Sequence, residues 1–331
     1  MKIVKIAGFS LFGLFFAYFA GPRPDFAPLD AAPSAVVYPI ATVDSLLRYR
    51  ESLVPGIRPH NEARIIWYDS LMPTEWSVVY LHGFSASPME ASPVHERFAA
   101  QYGCNLLLAR LPGHGLAGID GFRDIQPQAW LDAAKDAVAM GKAIGRKVII
   151  MATSTGATLA LALAAEDPDI AALLLYSPNV DMYASETKLL NGPWGESIAK
   201  AVLGGEYHHW EAKEAAKPYW SDTYHVDGLH ALRFLVSQTM VPATFSKVRQ
   251  PVFISYYYKN EDEQDKVISV EAIQDMIPAL STPDDQRRVV VNTTSTDHVI
   301  PSGLVNENWR DAEKDTHDFA GKVLGMVRKG G

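Results

Sequence analysis

The chain alternates short, unbroken apolar runs with longer stretches in which apolar residues recur every three or four positions. Arg64 to Tyr68, Ser77 to Leu81, Asn105 to Ala109, Lys147 to Ala152 and Ile170 to Tyr176 read as strands, and Pro251 to Tyr258 and Arg288 to Asn292 add two more. Between them, helical spacing predicts a short amphipathic helix from Pro93 to Tyr102. A longer helix opened by Pro127 puts Trp130, Leu131, Ala134 and Val138 on one face, and a third runs from Thr155 to Ala165. A helix starting at Glu271 and one from about Trp309 to Arg328 complete the series. Strands that are apolar throughout, rather than at alternate positions, need cover on both faces. The strand–helix order therefore predicts an α/β fold, a mostly parallel central sheet with helices on both sides.

Two stretches break this rhythm. Pro22, Pro24, Pro28, Pro33 and Pro39 mark an extended arm or linker. Residues 179–250 are irregular, helical and aromatic, with Tyr183, Trp194, Tyr207, Trp210, Tyr219, Trp220 and Tyr224. At about 70 residues, this insertion far exceeds an ordinary connection, and it reads as a lid over one end of the sheet. The expected organisation is a terminal segment (1–21), a Pro-rich arm (22–60), the first part of the core (61–178), a cap (179–250) and the second part of the core (251–331).

The terminal segment has its own pattern. Lys2 and Lys5 precede 17 uncharged residues, Ile6 to Pro22, with Ala20-Gly21 as a cleavage point. This is the layout of a secretory signal peptide, and its length is also at the lower limit for a membrane anchor. The expectation is an exported protein, periplasmic or secreted, or one associated with the membrane through residues 1–21. No cysteine lies nearby, which excludes a lipoprotein signal.

Composition narrows the functional classes. The 331 residues are 48% hydrophobic, enough for a large core. A net charge of -8 without any basic block argues against nucleic acid as a partner. The single cysteine, Cys104, excludes an internal disulfide and a cysteine-based zinc site, and its apolar neighbours mark it as a buried small residue. His208, His209, His225 and His230 match no familiar metal-ligand spacing and read as surface or cap histidines.

The candidate chemistry centres on Met151-Ala152-Thr153-Ser154-Thr155-Gly156-Ala157, at the junction of a strand and a helix. A tight strand-to-helix turn thrusts a side chain above the sheet and demands small residues two positions before and after it, here Ala152 and Gly156. Taken alone, Ser154 reads first as a helix-capping serine. A serine nucleophile also needs a base, a carboxylate to orient that base, and backbone N–H groups for the oxyanion. Gly83 follows a strand in Tyr80-Leu81-His82-Gly83-Phe84-Ser85, so the Phe84 N–H is placed to face a cleft. The Thr155 N–H, at the first turn of the helix, is the second candidate donor. His82 precedes the nucleophile on a strand end and reads as a structural, hydrogen-bonded histidine. His298, in Thr296-Asp297-His298-Val299-Ile300 after the last strand, is the candidate base. His317 falls within the final helix and is expected to face solvent. Asp297 cannot easily orient its immediate neighbour. Asp265, in Asp265-Lys266-Val267-Ile268-Ser269, is the first choice of carboxylate, with Asp262, Glu261, Glu263 and Asp181 as alternatives.

Five stretches in this order, H-G-F at 82–84, L-P-G-H-G at 111–115, T-S-T-G at 153–156, D-K-V-I-S at 265–269 and D-H-V-I at 297–300, resemble the α/β-hydrolase superfamily over residues 64 to 328. The layout is most similar to its monoglyceride-lipase and carboxylesterase branch. The resemblance implies a helical cap inserted after the sixth strand, and no cofactor or metal. It makes Ser154 the nucleophile, His298 the base and then acid, Asp265 the orienting carboxylate, and Phe84 and Thr155 the oxyanion donors. Ala152 departs from the family's pattern, where glycine is usual. The implied activity is cleavage, through an acyl-enzyme, of an uncharged, apolar carboxylic ester with a small to medium acyl chain, or of a monoacylglycerol. An amidase, peptidase or acyltransferase would use the same triad, and a catalytically silent binding protein is the alternative from another class. The sequence sets no oligomeric state.

Overall fold

The sheet is built in the order β1-β3-β2-β4-β5-β8-β9, from strands β1 (Arg64–Ile66), β2 (Thr74–Leu81), β3 (Asn105–Leu108), β4 (Gly145–Thr153), β5 (Ile170–Tyr176), β8 (Val252–Tyr257) and β9 (Arg287–Asn292). The structure, a computed structural model, describes residues 17–329. Every neighbouring pair is parallel except β1 with β3. Successive side chains of a strand point to opposite faces, so the apolar runs divide between two cores. Val79, Leu81, Ile150 and Ala152 enter one, and Val78, Tyr80, Ile149 and Met151 the other.

The helices α1 (Val43–Ser52), α2 (Val94–Tyr102), α3 (Pro127–Ile144), α4 (Thr155–Glu166), α8 (Val270–Ala279) and α9 (Trp309–Lys322) cover the sheet and its margins. Pro127 occupies the first turn of α3, where its missing N–H costs nothing. In α4 every residue from Thr155 to Ala164 is buried, as an all-round apolar helix must be.

Between β5 and β8 lies an inserted subdomain: a 3-10 turn (Ser185–Asn191), α5 (Gly195–Leu203), an antiparallel pair of β6 (Tyr207–His209) and β7 (Thr223–His225), α6 (Asp227–Thr239) and α7 (Pro242–Phe245). It follows the fifth strand of the described sheet, not the sixth, because a single antiparallel edge strand, β1, precedes β2 among the described residues. Its aromatics do not act as one surface. Tyr224 and Trp220 are buried, while Tyr183, Trp194 and Trp210 are exposed.

The arm is ordered along the surface and is not a free linker. Phe26 packs on Phe234 with ring centroids 5.0 Å apart, Gln128 bonds Asp30, and Tyr38 and Arg50 both bond Asp136. Within it, Val43 and Leu47, one helical turn apart, bury the inner face of α1. Of the exported or membrane-anchored localisation expected from residues 1–21, the membrane anchoring is corrected. Residues 1–16 of that segment lie outside the described residues, and among the described residues no helix is long and apolar enough to cross a membrane. Its described end lies against the inserted subdomain, where Trp194 Nε1 donates to Ala17 O at 3.0 Å and Trp194 N to Pro22 O at 2.7 Å. His317 is buried too, stacked on Phe98 with centroids 5.8 Å apart, because it shares the inner face of α9 with Glu313 and Ala320.

Candidate active site

Strand order reverses between β2 and β4: the chain passes from β2 outward to β3, then returns to the other side of β2. In an open parallel sheet this leaves a crevice at the carboxyl ends of the two strands. Ser154 stands there, one residue beyond β4 and 6% exposed. Its backbone, at φ 54° and ψ -118°, is in a region that side-chain-bearing residues avoid. The turn is held by Ser154 N–H on Tyr176 O at 3.0 Å and by Ser154 O, which accepts from the N–H groups of Ala157, Thr158 and Asn179. A Cβ on Gly156 would lie 2.0 Å from Leu81 O, so α4 can start this close to the end of β2 only with glycine there. Ala152 is two residues before Ser154, in register with Leu81 on one side and Leu175 on the other, and its methyl is fully buried in the core.

The β2 end carries His82, Gly83 and Phe84. His82 Nδ1–H donates to Gly83 O at 2.8 Å while Nε2 accepts from Leu111 N–H at 3.1 Å, which fixes the neutral tautomer. Burial pushes its pKa down to about 4, as a structural histidine requires. Leu111 opens the L-P-G-H-G turn, and His114 of that turn packs edge-on against His82. A peptide C=O and the following N–H point in opposite directions, so pinning Gly83 O also aims the Phe84 N–H. Neither the Phe84 N–H nor the Thr155 N–H donates to a protein acceptor among the described residues.

Asp265 lies in the loop between β8 and α8 and is 2% exposed. Its Oδ1 accepts from Val267 N–H at 2.9 Å and Ile268 N–H at 3.3 Å, and its Oδ2 meets His298 Nδ1 at 2.6 Å. Burial alone would raise the carboxyl pKa, but the His298 charge and these bonds hold it below the usual aspartate value. Burial would likewise lower the His298 pKa, and the Asp265 carboxylate reverses this, leaving it raised. His298 is 13% exposed, its carbonyl is held by Ser177 Oγ at 2.7 Å beside β5, and its Nε2 has no protein partner among the described residues. Of the alternative carboxylates, Asp262 is exposed, Asp181 pairs with Arg233 and Lys188, and Asp297 pairs with Lys213 at 2.9 Å. The structure thus brings Asp265 to His298 and none of the others.

Above the crevice, Phe84 stacks on Phe122 (4.8 Å) and meets Tyr224 of the inserted subdomain (5.1 Å) and Trp130 (5.9 Å). Trp220 packs with Ala86 and Val299, and Ser221 N–H donates to Ser85 O at 2.7 Å. The inserted subdomain therefore touches both the Phe84 loop and the His298 loop. Sequence reasoning missed Glu90, whose buried Oε2 accepts from Gly83 N–H and the Tyr80 hydroxyl, each at 2.7 Å. Only its place eight residues after a strand-end histidine marked it.

A family model described as "Alpha/beta hydrolase family" matches residues 78–311. The 2-succinyl-6-hydroxy-2,4-cyclohexadiene-1-carboxylate synthase of Salmonella typhimurium is 28% identical over 153 residues, 40% of this chain, and the chain spans about half (52%) of that relative's length. Among solved structures, a metagenome-derived lipolytic enzyme from a study of LipS and LipT superposes with a TM-score of 0.62 at 16% identity, covering 80% of this chain and 98% of that one. A monoacylglycerol lipase of Paleococcus ferrophilus gives 0.58 at 13% identity, covering 80% of this chain and 100% of that one. At these identities the two structures establish likeness of fold.

Proposed function

This chain belongs to the alpha/beta hydrolase family, and from that premise we propose that it is a serine hydrolase cleaving small, apolar carboxylic esters through an acyl-enzyme. Residues 61–178 and 251–331 form its core and residues 179–250 its cap. The reading is carried by one observation: Asp265 Oδ2 accepts a hydrogen bond from His298 Nδ1–H, leaving Nε2 unpartnered among the described residues. That tautomer presents a lone pair, the state a general base needs.

His298 Nε2 takes the Ser154 hydroxyl proton as Oγ attacks the ester carbonyl carbon. The carbonyl oxygen becomes an oxyanion facing the Phe84 and Thr155 N–H groups. The imidazolium, stabilised by Asp265, gives its proton to the leaving alkoxide and an acyl-Ser154 remains. Water, deprotonated by the same nitrogen, attacks the acyl carbon, and its proton returns to Ser154 as the acid leaves. An apolar acyl or alcohol group is supported by the Phe84, Phe122 and Tyr224 rings beside the proposed oxyanion donor. The likeness of fold to lipolytic enzymes agrees with it.

The test is turnover of p-nitrophenyl esters of graded chain length by the wild type and Ser154→Ala. The substitution is expected to remove activity by a factor on the order of 10⁴ or more. Full activity in Ser154→Ala refutes the reading. Faster turnover of a matched anilide than of the ester reassigns the protein as an amidase.

A further inference from the structure

Glu90 is 2% exposed and forms no ion pair with a lysine or arginine among the described residues. A buried carboxylate without a cation beside it is costly, and hydrogen bonds are the main offset here. Both bonds fall on Oε2, from Gly83 N–H and the Tyr80 hydroxyl. Oε1 takes no protein donor among the described residues. A Cβ built on Gly83 would stand 2.8 Å from Glu90 Oε1 and 3.1 Å from Ser154 Cβ, so the carboxylate and the serine flank the same glycine.

Resting on the esterase reading above, we propose that Glu90 is a positioning residue of this site: it holds the Gly83 N–H, in the peptide immediately before the one that presents the Phe84 N–H, and its charge acts on His298. The Gly83 backbone is clamped at both ends, its N–H by Glu90 and its carbonyl by His82 Nδ1–H. The His82 bond falls on the peptide that presents the oxyanion donor and the Glu90 bond on the peptide before it, so losing the Glu90 clamp frees the glycine on which the donor peptide pivots.

The electrostatic half follows from the neighbours. Tyr80 of β2 bonds Glu90 and Thr153 Oγ1 of β4, and the neutral His95 of α2 packs edge-on against the Tyr80 ring. From the loop after β9, His298 attracts Glu90 and Asp297 repels it. Burial, the largest influence, brings the Glu90 pKa up to about 7, and its charge in turn helps raise that of His298. An ionised Glu90 therefore stabilises the imidazolium and moves the acid limb of activity to higher pH.

The experiment uses the full chain and measures the rate of Ser154 labelling by a fluorophosphonate probe across pH, with ester kcat and KM, for Glu90→Gln and Glu90→Leu. Glutamine keeps an acceptor for Gly83 N–H. Its plateau rate should fall less than about tenfold while the acid limb shifts to lower pH. Leucine removes the acceptor, and kcat should fall on the order of 10²-fold with KM little changed, as for a lost oxyanion donor. An unmoved limb in Glu90→Gln overturns the proposal, whether or not Glu90→Leu folds, because a merely structural carboxylate moves only stability. If Ser154 takes no label in the wild type, the esterase reading itself fails. If it labels and Glu90→Gln matches the wild type, the inference about Glu90 fails alone.

Discussion

Replacing Asp265 with asparagine tests the site through a single proton. Asp265 Oδ1 already serves two backbone donors, Val267 and Ile268 N–H, and only Oδ2 reaches His298. An asparagine must leave its carbonyl oxygen with those two N–H groups, so its NH₂ turns towards His298 Nδ1. The imidazole then has to accept at Nδ1 and carry its proton on Nε2, the nitrogen needed as a base. Packing is unchanged, and the tautomer is wrong. In a Ser-His-Asp arrangement this costs about 10⁴ in kcat, or about 5 kcal/mol of transition-state stabilisation. Removing the carboxylate also removes the influence that holds the His298 pKa above its ordinary value of 6.5. In the wild type, neutral His298 is lost as pH falls through that raised value, so the acid limb of kcat/KM lies above 6.5. In Asp265→Asn the residual activity should show its limb displaced to lower pH. The assay is p-nitrophenyl ester turnover across pH, with thermal unfolding as the control for folding. Activity within tenfold of the wild type, or an unmoved limb, would refute the reasoning.

Gly156→Ala should prevent the elbow from forming: its Cβ would meet Leu81 O at 2.0 Å and His82 O at 2.8 Å, both backbone atoms that cannot yield. Loss of soluble protein, or a strongly lowered unfolding midpoint together with lost labelling of Ser154, is the expected result. Cys104 is buried, with its thiol pushed up to about 12 by desolvation, so it should resist a thiol reagent at neutral pH until the chain is unfolded. Fast reaction in the native state would contradict that burial.

The parallel core was legible because its signals are local. Unbroken apolar strands, Pro127 at a helix start and Gly156 at an elbow each force a geometry within a few residues. The inserted subdomain was less legible, because the fates of its aromatics depend on what lies beneath them: Tyr224 meets Phe84 and is buried, whereas Trp210 stays exposed with its indole N–H on Ser221 O. Asp265 could be preferred over Asp262 from its place in the loop. The reason it wins is three-dimensional, since only Asp265 finds two backbone N–H groups to orient one oxygen and frees the other for His298. Glu90 carried little signal for the same reason, its partners being Tyr80 of β2 and Gly83 of the loop that follows. The departure at Ala152 illustrates the limit most clearly. A pattern treats the positions two before and two after the serine as equivalent. The structure separates them, because at Gly156 a methyl would collide with the backbone of β2, whereas the Ala152 side chain points into the core and is filled around by neighbouring side chains. The glycine after Ser154 is a steric requirement of the turn. The small residue before it only has to fit a core pocket, and an alanine there adds buried apolar surface without straining the elbow.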